Sequence, residues 1–239
     1  MKEIKEKGTL YVVATPLGNL KDITLRALEV LKESDLVAAE DTRRTQKLFS
    51  AYEIHSPLTS YHENNKFRKI PYLLGQLREG KQISLVTDGG TPGVSDPGKE
   101  LVQEARQAHI AVVPIPGPSA LTCALSASGF PGDSFVFLGF LPRRKSRRKK
   151  ILEEMKEQKR TLIFYEAPHR IGNLLQEIQT VLGEREAVLS RELTKVYEEI
   201  LAGSISELSR QLSDREPRGE YCLVLGPPDR SVEPDGPNF

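Results

Sequence analysis

Residues 88–98, Asp-Gly-Gly-Thr-Pro-Gly-Val-Ser-Asp-Pro-Gly, hold the residue types best suited to cradling a small molecule. They follow a short apolar run, Ile83 to Val86, that reads as a buried strand. Glycines at a strand's carboxyl end bring bare backbone N–H groups to the edge where open α/β sheets hold ligands. Asp96 is of the type that caps a helix, and Pro97 suits a helix's first position. The stretch therefore reads as strand, wide glycine loop, helix. It contains no lysine and fits neither GxxxxGK[ST] nor GxGxxG, so a triphosphate is a poor match. A nucleoside or an amino-acid-bearing adenosine, held by backbone groups with little charge to neutralise, is a better one.

Three further clusters could do chemistry. Arg143, Arg144, Lys145, Arg147, Arg148, Lys149 and Lys150 place seven cations within eight residues. Cations at a helix start oppose the helix dipole, so structure alone does not favour them there, and phosphate contact is the better account. No aromatic residue is interleaved with the run, so it reads as positioning a polyanion and not as base recognition. Glu166-Ala-Pro-His169-Arg170 stands at a strand-to-helix junction, where both a structural cap and a catalytic role are open. Arg191, Glu192 and Lys195 fit a cross-strand charge set. A nucleophile elbow and an HExxH pair are both missing, and no metal-ligand set is visible.

The elements that must position these residues alternate in type. Strands are expected at 9–15, 36–39, 57–61, 83–86 and 110–115, and the helices between them include one from about 97 to 107. Such alternation argues for a mainly parallel sheet. In each repeat the polar or glycine residues cluster just past a strand's carboxyl end. From about residue 120 the texture changes. Strands at 135–141, 161–166, 187–195, 198–203 and 220–226 have short connections, which suggests a mixed sheet. The expected organisation is an N-terminal α/β domain over 1–118, a C-terminal α/β domain over 119–228, and a Pro- and charge-rich tail, 229–239, that reads as disordered.

The whole chain has 239 residues, 38% hydrophobic and 28% charged, which fits a globular protein and excludes wholesale disorder. A net charge of +1 means that any attraction to nucleic acid must come from a local patch. Cys123 and Cys222 lie in apolar surroundings and read as buried thiols of a reducing compartment. The N-terminal KEIKEKG has no apolar leader, and no run approaches membrane-spanning length, so the expected location is cytoplasmic.

LYVVATPLGNLKDIT, AAEDTR, ISLVTDGGTPGVSDPG, VVPIPGPSA, GFLPRR, LIFYEAPHR, RELTK and GEYCLV occur in one order along the chain. Together they resemble the tetrapyrrole methylase superfamily, the class III S-adenosylmethionine-dependent methyltransferases. Within it they are most similar to the branch that methylates a cytidine ribose 2′-oxygen in small-subunit (16S) ribosomal RNA. Gly89 departs from the family's usual alanine, and Ala167 from its frequent serine or threonine.

The resemblance implies two α/β domains with the cofactor cleft between them and a homodimer, without metal or membrane. It implies S-adenosylmethionine as cofactor, held by Asp88, Thr91, Pro92, Gly93, Val94, Ser119, Ala120, Tyr165, Leu193 and Thr194, with Leu17 at its edge, while loop 16–19 faces the substrate trough. Arg43, Arg143, Arg144, Lys145, Arg147, Arg148, His169 and Arg170 become candidates for RNA contact. A ribose hydroxyl is a poor nucleophile, so a general base would help; Glu166 and Lys195 rank first because they lie near cofactor motifs. The alternative within the superfamily is a carbon methyltransferase acting on a tetrapyrrole, against which the basic run argues. An oxidoreductase would need a GxGxxG after the first strand, and a non-catalytic RNA-binding module would need no glycine loop.

Overall fold

The computed structural model describes residues 7–213 and 215–228. The expected tail, 229–239, lies outside them. The chain divides after Ser119 into two compact units.

The first unit is a parallel sheet of β1 (Thr9–Val13), β2 (Leu36–Ala39), β3 (Leu58–Ser60), β4 (Ile83–Val86) and β5 (Ala111–Ile115), in the order β3-β2-β4-β1-β5. Every residue of β2 and β4 is buried, as expected of central parallel strands covered on both faces. Helices α1 (Leu25–Glu33) and α2 (Thr42–Tyr52) cover one face through Ala27, Leu31, Leu48 and Phe49. Helices α3 (Lys66–Arg78) and α4 (Lys99–Gln107) cover the other through Ile70, Leu73, Leu77 and Leu101. Pro114, which has no N–H to donate, sits on edge strand β5. The helix starts are set locally. The Thr24 side chain accepts from Ala27 N and caps α1; that of Asp41 accepts from Arg43 N and caps α2.

The second unit is a mixed sheet in the order β6-β7-β10-β8-β9. β6 (Phe135–Phe140) runs parallel to β7 (Thr161–Glu166); β10 (Tyr221–Leu225) is antiparallel to β7 and to β8 (Glu186–Arg191); β9 (Glu199–Ser204) is antiparallel to β8. Helices α6 (Lys145–Glu154), α7 (Pro168–Leu182) and α8 (Ile205–Ser213) pack on the face that carries Leu162, Phe164, Leu189 and Leu223. Helix α5 (Ala120–Ser128) packs on the opposite face, against Ile163, Cys222 and Val224.

Three expectations change. Helix α4 begins at Lys99 with Gly98 as its N-cap, so Asp96 and Pro97 belong to the loop before it. β8 ends at Arg191, four residues before the expected Lys195, because Glu192 and Thr194 take positive φ (51° and 69°) that no strand continues. Helix α8 lies in a stretch with no strong punctuation, although Ile205, Leu208 and Leu212 stand at helical spacing. Among the described residues no helix is long and apolar enough to cross a membrane.

Candidate active site

In the first unit the five strands are parallel, so their carboxyl ends share one edge. The loops there are tied to one another mostly through backbone. Thr15, just past β1, exchanges two backbone hydrogen bonds with Gly90 (2.9 and 2.8 Å), and its hydroxyl donates to the Thr87 carbonyl (3.0 Å). Gly90 has φ +93°, and a Cβ there would lie 3.4 Å from Leu17 Cδ2, so Leu17 rests over the glycine loop. Thr91-Pro92-Gly93-Val94 closes as a turn, Val94 N donating to Thr91 O (3.2 Å), with proline second and glycine third at φ +82°. That is the residue order a type II turn demands. The Thr91 hydroxyl donates to Pro118 O (3.2 Å), joining the glycine loop to the end of β5, which Ser119 follows. Gly98 closes the loop: a Cβ there would meet Leu85 Cδ2 at 2.9 Å and Gly93 N at 3.3 Å.

Leu17, Asp88, Thr91, Pro92, Gly93, Val94 and Ser119 are thus brought to one edge. The Asp88 carboxylate is occupied within the fold. It accepts from Asp41 N (3.0 Å) and faces Arg44 (3.3 Å), while Asp88 N donates to Glu40 (3.3 Å). Asp88 is a strut between the ends of β2 and β4. Burial raises the Glu40 carboxyl above the usual glutamate value, with the nearby Asp88 charge adding to it and the Asp88 N–H opposing. At Gly89, a Cβ would lie 3.0 Å from Pro16 O and 3.3 Å from Leu17 Cα. The alanine usual in the family would press on residues 16 and 17 by a few tenths of an ångström.

The second unit separates residues that adjoin in sequence. Tyr165 faces the α5 side of the sheet, where it packs with Leu121, Leu125 and Leu193 around Cys222. Burial pushes the Cys222 thiol up to about 12, the neighbouring Cys123 adding to the effect. Ala120 opens α5 on that same side. Glu166 shares no face with Tyr165. It is 1% exposed; its Oε1 accepts from Ala167 N (2.8 Å), and Arg170 Nη2 lies 3.1 Å from Oε2 in an ion pair without hydrogen-bond geometry. Arg170 in turn donates to Leu141 O (2.7 Å). Burial raises the Glu166 carboxyl, against the Ala167 N–H and the Arg170 and Arg148 charges.

Lys195 lies in the loop after β8, where it contacts Glu192 (2.8 Å) and Glu220 (3.1 Å). Burial pulls its ammonium down, but the two carboxylates outweigh burial and hold it above the usual lysine value. So held, the ammonium is kept in its charged form in this structure. Glu192 also accepts from Glu220 N (3.0 Å), which fastens the Glu192–Thr194 loop to β10. Both residues ranked first as bases from sequence also fix a strand end.

The basic run splits in the same way. Arg143, Arg144, Lys145 and Arg147 are exposed and make no ion pair among the described residues. Arg148 turns inward instead, 8% exposed; it is forked onto Glu177 and donates to the carbonyls of Pro142 and Arg143 (both 3.2 Å). It is removed from the group of free cations. Arg43 is exposed and paired with Asp41 (2.8 Å), whose carboxyl it holds well below the usual range. His169 is exposed in the first turn of α7. Sequence reasoning missed Thr15. Among the described residues, no group of three His, Cys, Asp or Glu is placed to hold a metal ion.

The fold is shared with solved methyltransferases. Uroporphyrin-III C-methyltransferase from Thermus thermophilus superposes with a TM-score of 0.65 at 23% identity, covering 92% of this chain and 94% of that one. A cobalt precorrin-4 methyltransferase gives 0.69 at 16% identity, covering 91% and 94%. A family model for the tetrapyrrole (corrin/porphyrin) methylases matches residues 9–209, and the chain belongs to that family. It is also 50% identical over 230 residues to the ribosomal RNA small subunit methyltransferase I of Halalkalibacterium halodurans, which covers 96% of this chain and 80% of that one. The protein of the same name from Thermotoga maritima is 46% identical over 218 residues, covering 91% and 98%.

Proposed function

We propose that the protein transfers the methyl group of S-adenosylmethionine to the 2′-oxygen of a cytidine ribose in small-subunit (16S) ribosomal RNA. The observation that carries this reading is the near-full-length identity of about half to relatives named for small-subunit ribosomal RNA methylation. In favour of a tetrapyrrole substrate there are the fold and the broader family's description, neither of them particular to these relatives. The reading places the protein in the cytoplasm with its RNA and, by the family resemblance, as a homodimer.

The residues present fit the cofactor. The glycine turn offers backbone groups, and a Cβ on Gly93 would come no nearer to another atom than 3.9 Å, so a ligand can approach the bare backbone there. In the first unit Thr91 to Val94 and Ser119 would hold the group, with Leu17 at its edge. By the family resemblance, Ala120, Tyr165, Leu193 and Thr194 are the further candidates. When bound it supplies an activated sulfonium methyl. The chain's own task is to align the ribose oxygen in line with that methyl and to exclude water. Glu166 and Lys195 serve that alignment as positioning residues: Glu166 holds Arg170 and the start of α7, and Lys195 holds the Glu192–Thr194 loop.

The test is transfer from radiolabelled S-adenosylmethionine to small-subunit RNA, free and in assembled subunits, followed by nucleoside analysis. 2′-O-methylcytidine is the expected product. Transfer to a uroporphyrinogen and to neither RNA substrate would overturn the reading.

A further inference from the structure

The exposed end of β6 carries an aromatic ring that no step above uses. Phe140 is 52% exposed and lies three and four residues before the free cations Arg143 and Arg144. Its direction is set by an irregularity. β6 pairs with β7 in register from Phe135 to Phe137, then shifts by one, so that Gly139 opposes Phe164 and Phe140 opposes Tyr165. Gly139 takes φ +57°. Strict alternation would put Phe140 on the face opposite Phe137. The extra residue returns it to the same face, the usual effect of a bulge that re-aims a side chain on an edge strand. Phe137 and Phe140 both meet Tyr165 edge-to-face, with centroids 4.9 and 5.6 Å away. Phe137 is partly buried in the α5-side cluster, whereas much of Phe140 remains open to solvent.

We propose that Phe140 is a stacking platform for an unpaired RNA base, with Arg143, Arg144, Lys145 and Arg147 holding the flanking phosphates. The proposal rests on the RNA reading above and adds to it a point of base contact. A half-exposed aromatic ring followed within a few residues by unpaired cations is the combination by which proteins hold single-stranded nucleic acid: charge attracts the backbone, and any base can stack on the ring. No acidic residue lies between Asp133 and Glu153, so the local field has one sign. A protein partner that covered a lone phenylalanine would need more apolar area around it than this cationic stretch offers.

The chain has no tryptophan, so Phe140→Trp gives a single fluorophore at the site. A short pyrimidine oligoribonucleotide should quench it on binding. An abasic oligomer with the same number of phosphates should bind without that quenching. Phe140→Ala should weaken binding of the base-bearing oligomer by about tenfold and leave the abasic one unchanged, as removal of one stacking platform requires. Since the ring is half exposed, an unchanged melting temperature is expected and checks the fold. Equal affinity of Phe140→Ala and parent for the base-bearing oligomer would overturn the proposal alone. So would quenching of Trp fluorescence by S-adenosylhomocysteine and not by RNA, which would give the ring to the cofactor. If the parent protein bound neither oligomer and methylated no RNA, the RNA reading itself would fall with it.

Discussion

The carboxyl edges of the two sheets are built from different materials. In the first unit the edge is mostly backbone: a Thr15–Gly90 bridge, a Pro-Gly turn and the close approach of Gly98 to Gly93, with the Asp88 carboxylate as a charged strut. In the second it is side chains: Glu166 with Arg170, Arg148 with Glu177, Glu192 with Lys195. Backbone sites tolerate changes of charge and fail when a Cβ is added. Sites made of buried ion pairs fail in the opposite way. The chain therefore presents a shape-defined edge and an electrostatically defined one, and substitutions of the two kinds should separate them.

The largest effect expected is at Arg148. Removing one partner of a largely buried pair leaves the other charge uncompensated, so Arg148→Ala should cost about 3 kcal/mol of stability. Urea unfolding measures it. Arg147→Ala, one residue away and exposed, should stay within about 0.5 kcal/mol. Equal effects at the two positions would erase the distinction within α6.

Next in size is the effect of removing the free cations. Changing Arg143, Arg144, Lys145 and Arg147 to alanine should weaken RNA binding about tenfold or more. It should also flatten the salt dependence by roughly 0.7 for each phosphate that is no longer neutralised. Affinity for S-adenosylhomocysteine should hold. Filter binding across a salt series and calorimetry read the two quantities.

Smaller again is Gly93→Val. Its φ of +82° strains any side-chain residue by about 1–2 kcal/mol, and the new side chain enters space left open beside the turn. Calorimetry should show weaker S-adenosylhomocysteine binding by a folded variant; unchanged affinity would remove the glycine turn from the cofactor site.

The smallest effect is a pH signature. Burial raises the Glu166 carboxyl in the folded state, so the native protein binds that proton more readily than the unfolded chain. The stability this contributes is present below the unfolded value and is lost as pH rises through the folded one. The parent should therefore lose stability relative to Glu166→Gln between acid and neutral pH. The same variant and Lys195→Met separate positioning from base catalysis. In single turnover with saturating RNA, each should slow methyl transfer by less than the 10²–10⁴-fold that about one acid–base group supplies.

Much of the first edge was legible because glycine and proline act locally. The run 88–98 announces a loop whatever surrounds it. The start of α4 was not legible because Gly98 packs on Leu85 and Gly93, a contact no local rule contains. The second edge was less legible for a physical reason. Whether Arg148 faces water or Glu177 depends on α7, twenty-nine residues away in the chain. The opposite faces of Tyr165 and Glu166 follow from strand alternation alone, but which of the two faces the α5 side depends on the packing of α5 and α7. Proximity to a motif draws attention to Lys195 but does not reveal that Glu192 and Glu220 hold it.

The bridge between Thr15 and Gly90 has a consequence for motion. Each amide is held by the other loop, so neither can exchange its hydrogen with solvent until the ends of β1 and β4 part. These two positions should be slow reporters within otherwise fast-exchanging loops, and their rates should match because a single opening exposes both. A ligand seated on the glycine turn would slow the pair together and leave the amides of the basic stretch untouched.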